Sequence, residues 1–448
     1  MIRHVHHRAS SGLNVSANHI RHHIARSCKL YRRSFSNAKS PRSEPGALKG
    51  VRVLDFSRIL AGPFCSQILA DYDADVIKVE SLQGDETRSW QGAGEAADWK
   101  EDAGPISFYF ASVNRNKRSI TLDLKQPEAL EVVYELVKTS DVVLENFVPG
   151  SADRLGIGYA KLSEINPRLV YASISGYGGS GPYSNRAGYD AIAAAEGGLM
   201  HITGQPDGPP VRPGLGMTDM ATGLYTHGAV VAALYSRDRT GQGQHISSSL
   251  FETQISLLIN IGANWLNRGV EGKRYGAAHP SIVPYNTWEC KDGLWLTVAA
   301  NNDRQFRKLC ERLRCFDLLD DERFATNARR VEHRPLMDEI FDAKFRAKSS
   351  EEWLKVLDGS GLAFGSVNTI QKAFEHTQTQ ARDMIQPMDW PAVQSGLWQS
   401  IGPPVKFEKT KAAIVSRPPL LGEHTEEILG EIGYSKNKIE DLQQRKIV

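Results

Sequence analysis

From residue 51 onward, short apolar runs alternate with amphipathic ones, and this alternation restricts the fold more than any other feature. VRVLDFS (51–57) has the make-up of a buried strand, and GPFCSQILADY (62–72) the spacing of a helix with Pro63 in its first turn. ADVIKVE (74–80) is a second expected strand and SITLDL (119–124) a third, followed by a Pro127-started helix over 127–139. DVVLENF (141–147), LVYASISGY (169–177) and GQGQHISSSL (241–250) continue the strands, and FETQISLLINIGANWL (251–266) reads as one helix. Apolar strands separated by helices imply a parallel sheet covered on both faces. The expected class is α/β, a doubly wound parallel sheet in a large Rossmann-like domain.

Near residue 270 the character changes. AAHPSIVPYNTWECKDGLWLTVAA (277–300) is rich in turns, aromatics and short strands, and helices are expected over 303–313 and 349–359. Residues 270–370 are therefore read as a smaller α+β domain. RPPLLGEHTEEILGEI (417–432) pairs a Pro/Gly lead with an amphipathic helix, and the sequence leaves open where that tail packs.

The first 43 residues carry no Asp or Glu but nine Lys/Arg and six His. That is the make-up of a mitochondrial transit peptide (1–45), with the mitochondrial matrix as destination; a basic tail for an anionic surface is the alternative. Without those nine cations the chain has 45 basic against 52 acidic residues, a net of −7 hidden beneath a total of +2. Such an acidic body does not present the basic face of a nucleic-acid binder. No apolar run approaches the ~18 residues that span a bilayer, so no membrane insertion is expected. Cys28 lies in the leader; Cys65, Cys290, Cys310 and Cys315 show neither C-x-x-C nor zinc-ligand spacing and read as buried thiols, with no metal site.

GYGGSG (176–181) fits G-x-G-x-x-G, yet Pro182 and Tyr183 follow it and it ends the fifth expected strand, so a turn cluster is the better reading. VRPGLGMTDMATGLYTHGAVVAALY (211–235) runs from a Pro/Gly loop into a helical pattern that holds to about Tyr235. Thr218 is the expected N-cap, placing Asp219 in the first turn, where the helix dipole favours its ionised form. Position alone allows two roles for Asp219: stabilising the helix start, or attacking an activated acyl group.

Several segments together resemble the family III CoA-transferases, a group that includes the α-methylacyl-CoA racemases. They are LDFSRILAGPFCSQILADYDADVIKVESLQGDETR (54–88), NRNKRSITLDL (114–124), ENFVPGSADRLGIGYAKLSEINPRLVYASISGYGGSGPY (145–183) and RAGYDAIAAAEGGLMHITG (186–204). The Asp219 stretch, HPSIVPYNTW (279–288), TNARRVEHR (326–334) and PPLLGEHTEEIL (418–429) complete the set, which spans residues 47–440. The resemblance implies that Asp219 is a nucleophile forming an acyl anhydride and then an enzyme–CoA thioester. It implies that Arg154 contacts CoA, with Arg88, Arg115 and Lys117 as further cation candidates for the phosphates. It also implies an interlocked homodimer, and a large domain built from 46–255 and 375–448 around the small one.

No metal or redox cofactor is expected, coenzyme A being a substrate. Leu60 and Ser81 stand where bacterial formyl-CoA transferases have Gln and Arg, and Tyr72-Asp73 where Leu-Gly is usual. The racemases carry a His in the segment that here reads Ala187-Gly188-Tyr189-Asp190, and a phenol is a poor base near neutral pH. Transfer is therefore favoured over racemase or isomerase activity, and over non-catalytic acyl-CoA binding. The match is best to the mitochondrial transferases that exchange CoA between succinyl-CoA and glutarate or other dicarboxylic acids. Tyr189 and Asp190 are candidates to line the acyl pocket. Arg186, Arg212 and His279 are candidates for the distal carboxylate.

Overall fold

A computed structural model describes residues 44–448, and the leader reading falls on residues outside that range. The main sheet has six strands, all parallel: β1 (Arg52–Asp55), β2 (Asp75–Glu80), β3 (Lys117–Thr121), β4 (Val142–Glu145), β5 (Val170–Ser175) and β6 (Gln244–Ser249), in the order β3-β2-β1-β4-β5-β6. Leu54 lies opposite Ile77 and Val143 in register, and neighbouring residues alternate between faces. One face joins Leu54, Ile77, Ile120 and Val143 to Val132, Val133 and Leu136 of the helix Pro127–Lys138. The other joins Val53, Val76, Val142 and Val170 to Cys65 and Leu69, and to Val230, Ala233 and Leu234. Each such aliphatic side chain contributes roughly 1.5–3 kcal/mol on full burial, which explains why these strands are apolar on both sides.

Two helices set the geometry of the site, α1 (Ala61–Asp71) and α2 (Met217–Thr240). They touch where Gly223 leaves no side chain. A Cβ there would stand 2.6 Å from the Ala61 carbonyl oxygen and 3.2 Å from the Phe64 ring. This close approach brings Asp219, one turn upstream, to the start of α1.

Several expected boundaries are corrected. β3 begins at Lys117 and ends at Thr121 instead of running over 119–124. The single helix expected over 251–266 is two, Leu250–Ser256 and Ile259–Arg268, broken where Ile259 takes φ +34°. α2 continues to Thr240 and stops at Gly241, whose left-handed φ of 77° supplies the C-cap. Asp73 takes a left-handed φ of +84°, and its carboxylate accepts the Gly46 N–H at 2.9 Å.

The region after 270 has its own antiparallel sheet: β7 (Tyr285–Glu289), β8 (Trp295–Ala299) and β9 (Ala363–Ser366). It has a separate core of Trp288, Leu296, Phe306, Leu309, Phe341, Phe345 and Trp353. A hairpin follows, β10 (Ile385–Asp389) and β11 (Leu397–Ile401), where Trp390 and Trp398 pack on Trp99.

The tail runs back along the free edge of β3. His424 donates its N–H to the Ser119 carbonyl at 2.9 Å, Asp123 donates to the Ile447 carbonyl at 2.8 Å, and Arg118 pairs with Glu427 at 2.9 Å. An edge strand covered in this way offers no template for aggregation. Among the described residues no helix is long and apolar enough to cross a membrane.

Candidate functional site

The chain leaves β1 in one direction along the sheet and returns to place β4 on its other side, so β1 and β4 are neighbours whose following segments diverge. In open α/β sheets ligands occupy the crevice outside the strand ends at this point. Two hollows lie there, and both are walled by Arg58 after β1 and Phe147 after β4. The larger, about 370 Å³, runs over the ends of β2 and β3 to Lys125 and Leu155. The smaller contains Asp219, with Ile59, Leu60 and Ala61 on one side and Arg186, Gly188 and Tyr189 on another.

Thr218 is not the N-cap of α2. Gly216 holds that position without a side-chain cap, and Thr218 lies inside the helix with its hydroxyl donating to Gln254 Oε1 at 3.0 Å. The helix start is held from outside: Asp190 Oδ1 accepts the backbone N–H of Thr218 at 2.9 Å and of Asp219 at 3.2 Å. The dipole therefore supports the Asp190 charge, and the expectation that it would favour an ionised Asp219 is reversed. Burial, and then the nearby Asp190 charge, push the Asp219 carboxyl up to about 7, with Arg212 opposing them. Arg212 lies 3.9 Å from Asp190 and is exposed.

Asp190 reaches α2 because two glycines touch. A Cβ on Gly176 would stand 2.7 Å from the Gly188 Cα, and one on Gly188 would stand 2.5 Å from the Gly176 Cα. The loop before Tyr189 thus lies flat against the end of β5. This accounts for the first glycine of GYGGSG, and Gly178 and Gly181, at φ of 94° and 89°, make the turns that follow. No helix opens there, in keeping with a turn cluster.

The other predicted residues divide. Tyr189 is 63% exposed on the cleft. Arg186 also faces the cleft, pairs with Glu196 at 3.1 Å and lies over the Tyr183 ring at 5.0 Å. Arg154 is exposed at the end of the short helix Ser151–Arg154, beside Leu155 of the larger hollow, and donates to Ser151 Oγ at 2.7 Å.

Three cation candidates lie away from both hollows' open faces, paired in the interior. Arg88 is buried, bidentate to Glu80 at 2.7 Å for each bond, and stacked 3.6 Å from the Phe110 centroid. Arg115 makes a bidentate pair with Asp71, and Lys117 donates to Asp55, the Pro63 carbonyl and Asn114. All three are committed to interior anions. His279 is also elsewhere, stacked on Tyr285 beside β7 and not on the Asp219 cleft of its own chain.

Some residues at the site were not singled out beforehand. Lys125 ends the segment after β3, where a cation just past a strand end could have been flagged. Arg58 pairs with Glu86 at the cleft mouth. Burial raises the Tyr109 hydroxyl, and the Asp219 and Asp190 charges raise it further; its ring packs edge-on to Trp90 at 5.3 Å. Nothing in the local pattern around Tyr109 announces that proximity.

The family model described as CoA-transferase family III matches residues 48–425. The chain belongs to CoA-transferase family III. This transferase is 49% identical to an acyl-CoA transferase of Fusarium pseudograminearum, with 93% of this chain and 92% of that one covered. It is 44% identical to the succinyl-CoA:glutarate CoA-transferase of Mus musculus, over 88% of each chain. Among solved structures, a CaiB/BaiF family protein from Brucella suis superposes with a TM-score of 0.77 at 39% identity, covering 87% of the transferase and all of that chain.

Proposed function

We propose that this CoA-transferase moves CoA from succinyl-CoA to glutarate or a related dicarboxylic acid, with Asp219 as the covalent nucleophile. The observation that carries the reading is the position of Asp219: on a cleft at the β1/β4 crevice, facing the amino end of α1. Its Oδ attacks the thioester carbonyl carbon, the C–S bond breaks and CoA leaves as thiolate. The thiolate then attacks the Asp219 carbonyl carbon of the anhydride, releasing succinate and leaving an Asp219–CoA thioester. Glutarate attacks that thioester, and the thiolate displaced attacks the glutaryl carbon, which regenerates Asp219. Each tetrahedral intermediate carries an oxyanion, and backbone N–H groups at a helix start are suited to stabilise it.

The nucleotide end of CoA is assigned to the larger hollow, where Lys125, Arg58 and the adjacent Arg154 supply cations for its phosphates. The acceptor's distal carboxylate is assigned to Arg212 or Arg186, both exposed by the Asp219 cleft. The choice of succinyl-CoA and glutarate is supported by the name of the mouse relative. A racemase would need a second proton-transfer group across from Asp219, and Tyr189, a phenol, stands in that loop. Because the protein supplies the nucleophile, no step calls for a metal or redox cofactor.

A homodimer is part of this reading, supported by exposed apolar side chains such as Tyr235, Ile259, Trp265 and Leu266. So is a mitochondrial matrix location, supported by the composition of residues 1–43. Incubation with succinyl-CoA and glutarate, with the CoA esters resolved by chromatography, tests the reaction. Glutaryl-CoA from the parent and none from Asp219→Asn is expected; equal turnover by the variant would refute the covalent route.

A further inference from the structure

Beneath the turn that joins β1 to α1 lies a buried ion pair. Lys78 Nζ and Asp85 Oδ2 are 3.0 Å apart, and the two side chains are 1% and 0% exposed. The pair grips the main chain on both sides of Arg58. Lys78 donates to the Ser57 carbonyl at 2.8 Å, while the Asp85 carboxylate accepts the Ile59 N–H at 3.2 and 3.3 Å. The same carboxylate accepts the Thr87 N–H at 3.0 Å and the Thr87 hydroxyl at 2.8 Å. A neutral amide has one acceptor oxygen and would turn a donor toward Lys78 or Ile59, so only a carboxylate meets all these partners.

What the pair holds is strained. Ile59 is at φ +71°, a region that β-branched residues avoid at a cost of order 1–3 kcal/mol. The next two residues, Leu60 and Ala61, begin α1 and wall the Asp219 cleft.

We propose that Asp85, paired with Lys78, is a positioning residue: it fixes the left-handed Ile59 turn and so aims the amino end of α1 at the acyl group on Asp219. This rests on the acyl-transfer reading of Asp219. The function of the pair is geometric: both residues also wall the larger hollow, and their loss slows anhydride formation even when acyl-CoA is saturating.

The test uses the full chain with Asp85→Asn and Ile59→Gly, singly and together. Formation of the covalent enzyme–CoA adduct from succinyl-CoA is timed by rapid quench and mass spectrometry, alongside kcat, KM and thermal unfolding. At saturating succinyl-CoA, Asp85→Asn should slow adduct formation roughly ten- to hundred-fold, the scale of a small misplacement of reacting groups. In the Ile59→Gly background the loss should shrink, because Gly adopts φ +71° without strain and the two changes act through one turn. A folded Asp85→Asn with the parental rate, or the same fold-loss in both backgrounds, overturns the proposal. If Asp85→Asn does not fold, Lys78→Gln/Asp85→Asn removes both buried charges together and is read in the same way. Asp219→Asn runs beside these. An adduct from that variant sinks the underlying mechanism, whereas no adduct from it and a parental rate from Asp85→Asn sinks the positioning role alone.

Discussion

Asp190 Oδ1 accepts the backbone N–H of Asp219 at 3.2 Å, so the residue that steadies the proposed nucleophile's main chain also opposes the charge on its side chain. With Asp219 pushed up to about 7, kcat/KM should rise with pH through about 7 and level off above it, since only the carboxylate attacks. Asp190→Asn keeps an acceptor for the helix start but drops the charge, leaving Arg212 and Tyr109 as the other polar neighbours. The acidic limb should then move to lower pH by roughly one unit. Initial rates from pH 5 to 9 decide this, and an unmoved limb would remove Asp190 from the account.

A carboxyl whose folded pKa lies above its unfolded value of 3.8 binds more protons in the native state between about 4 and 7. The stability cost is thus absent below pH 4, grows as pH rises and is complete above pH 7. Asp219→Asn should therefore abolish transfer and yet stabilise the protein at pH 8, by on the order of 1–3 kcal/mol, with no gain at pH 4. Denaturant melts at the two pH values test the sign; equal shifts at both would contradict it.

Gly176→Ala places a methyl group against the Gly188 backbone, which is not the end of a flexible side chain and cannot swing aside. The loop carrying Tyr189 and Asp190 must lift from the end of β5. The expected result is a kcat loss of roughly ten-fold or more with a modest change in melting temperature, because the loop is exposed. Parental kcat in this variant would show that the loop's seat does not matter.

Lys125→Gln and Arg154→Gln should each raise KM for acyl-CoA several-fold and leave kcat near the parental value, since both cations lie at the far hollow from Asp219. The effect should shrink at high salt. An unchanged KM in both would place the phosphates elsewhere.

Arg115→Met removes the bidentate partner of Asp71 from a buried site and should cost about 3–5 kcal/mol of stability. In the folded fraction KM for acyl-CoA should be unchanged. A selective rise in KM without destabilisation would restore Arg115 to the nucleotide site.

The strands and the first helix were legible because apolar runs and Pro63 are local signals, and Asp219 stood out for the segment around it. The ion-pair partners of the candidate cations are hidden from the sequence for a physical reason. Arg88 and Lys117 resemble phosphate ligands in type and neighbourhood, but Lys117 meets Asp55 two strands away, which only the parallel registers bring near, and Arg88 folds back on Glu80 across the turn that leaves β2. The sequence places Asp190 among candidates for the acyl pocket. Its hold on a helix start 28 residues away depends on the Gly176–Gly188 contact, which no local spacing encodes. The Ile59 turn was invisible for the opposite reason, since its residue type argues against its conformation.

The tail along β3 has a consequence for how the molecule is made. The outer edge of the sheet is finished by His424 and Ile447. A nascent chain therefore holds an open strand edge until these late residues have been made, and contacts some 300 residues apart are slow to close. A break in the segment that carries Ile447 would free the Asp123 N–H and loosen the exit of β3 that leads to Lys125, disabling the enzyme from a distance.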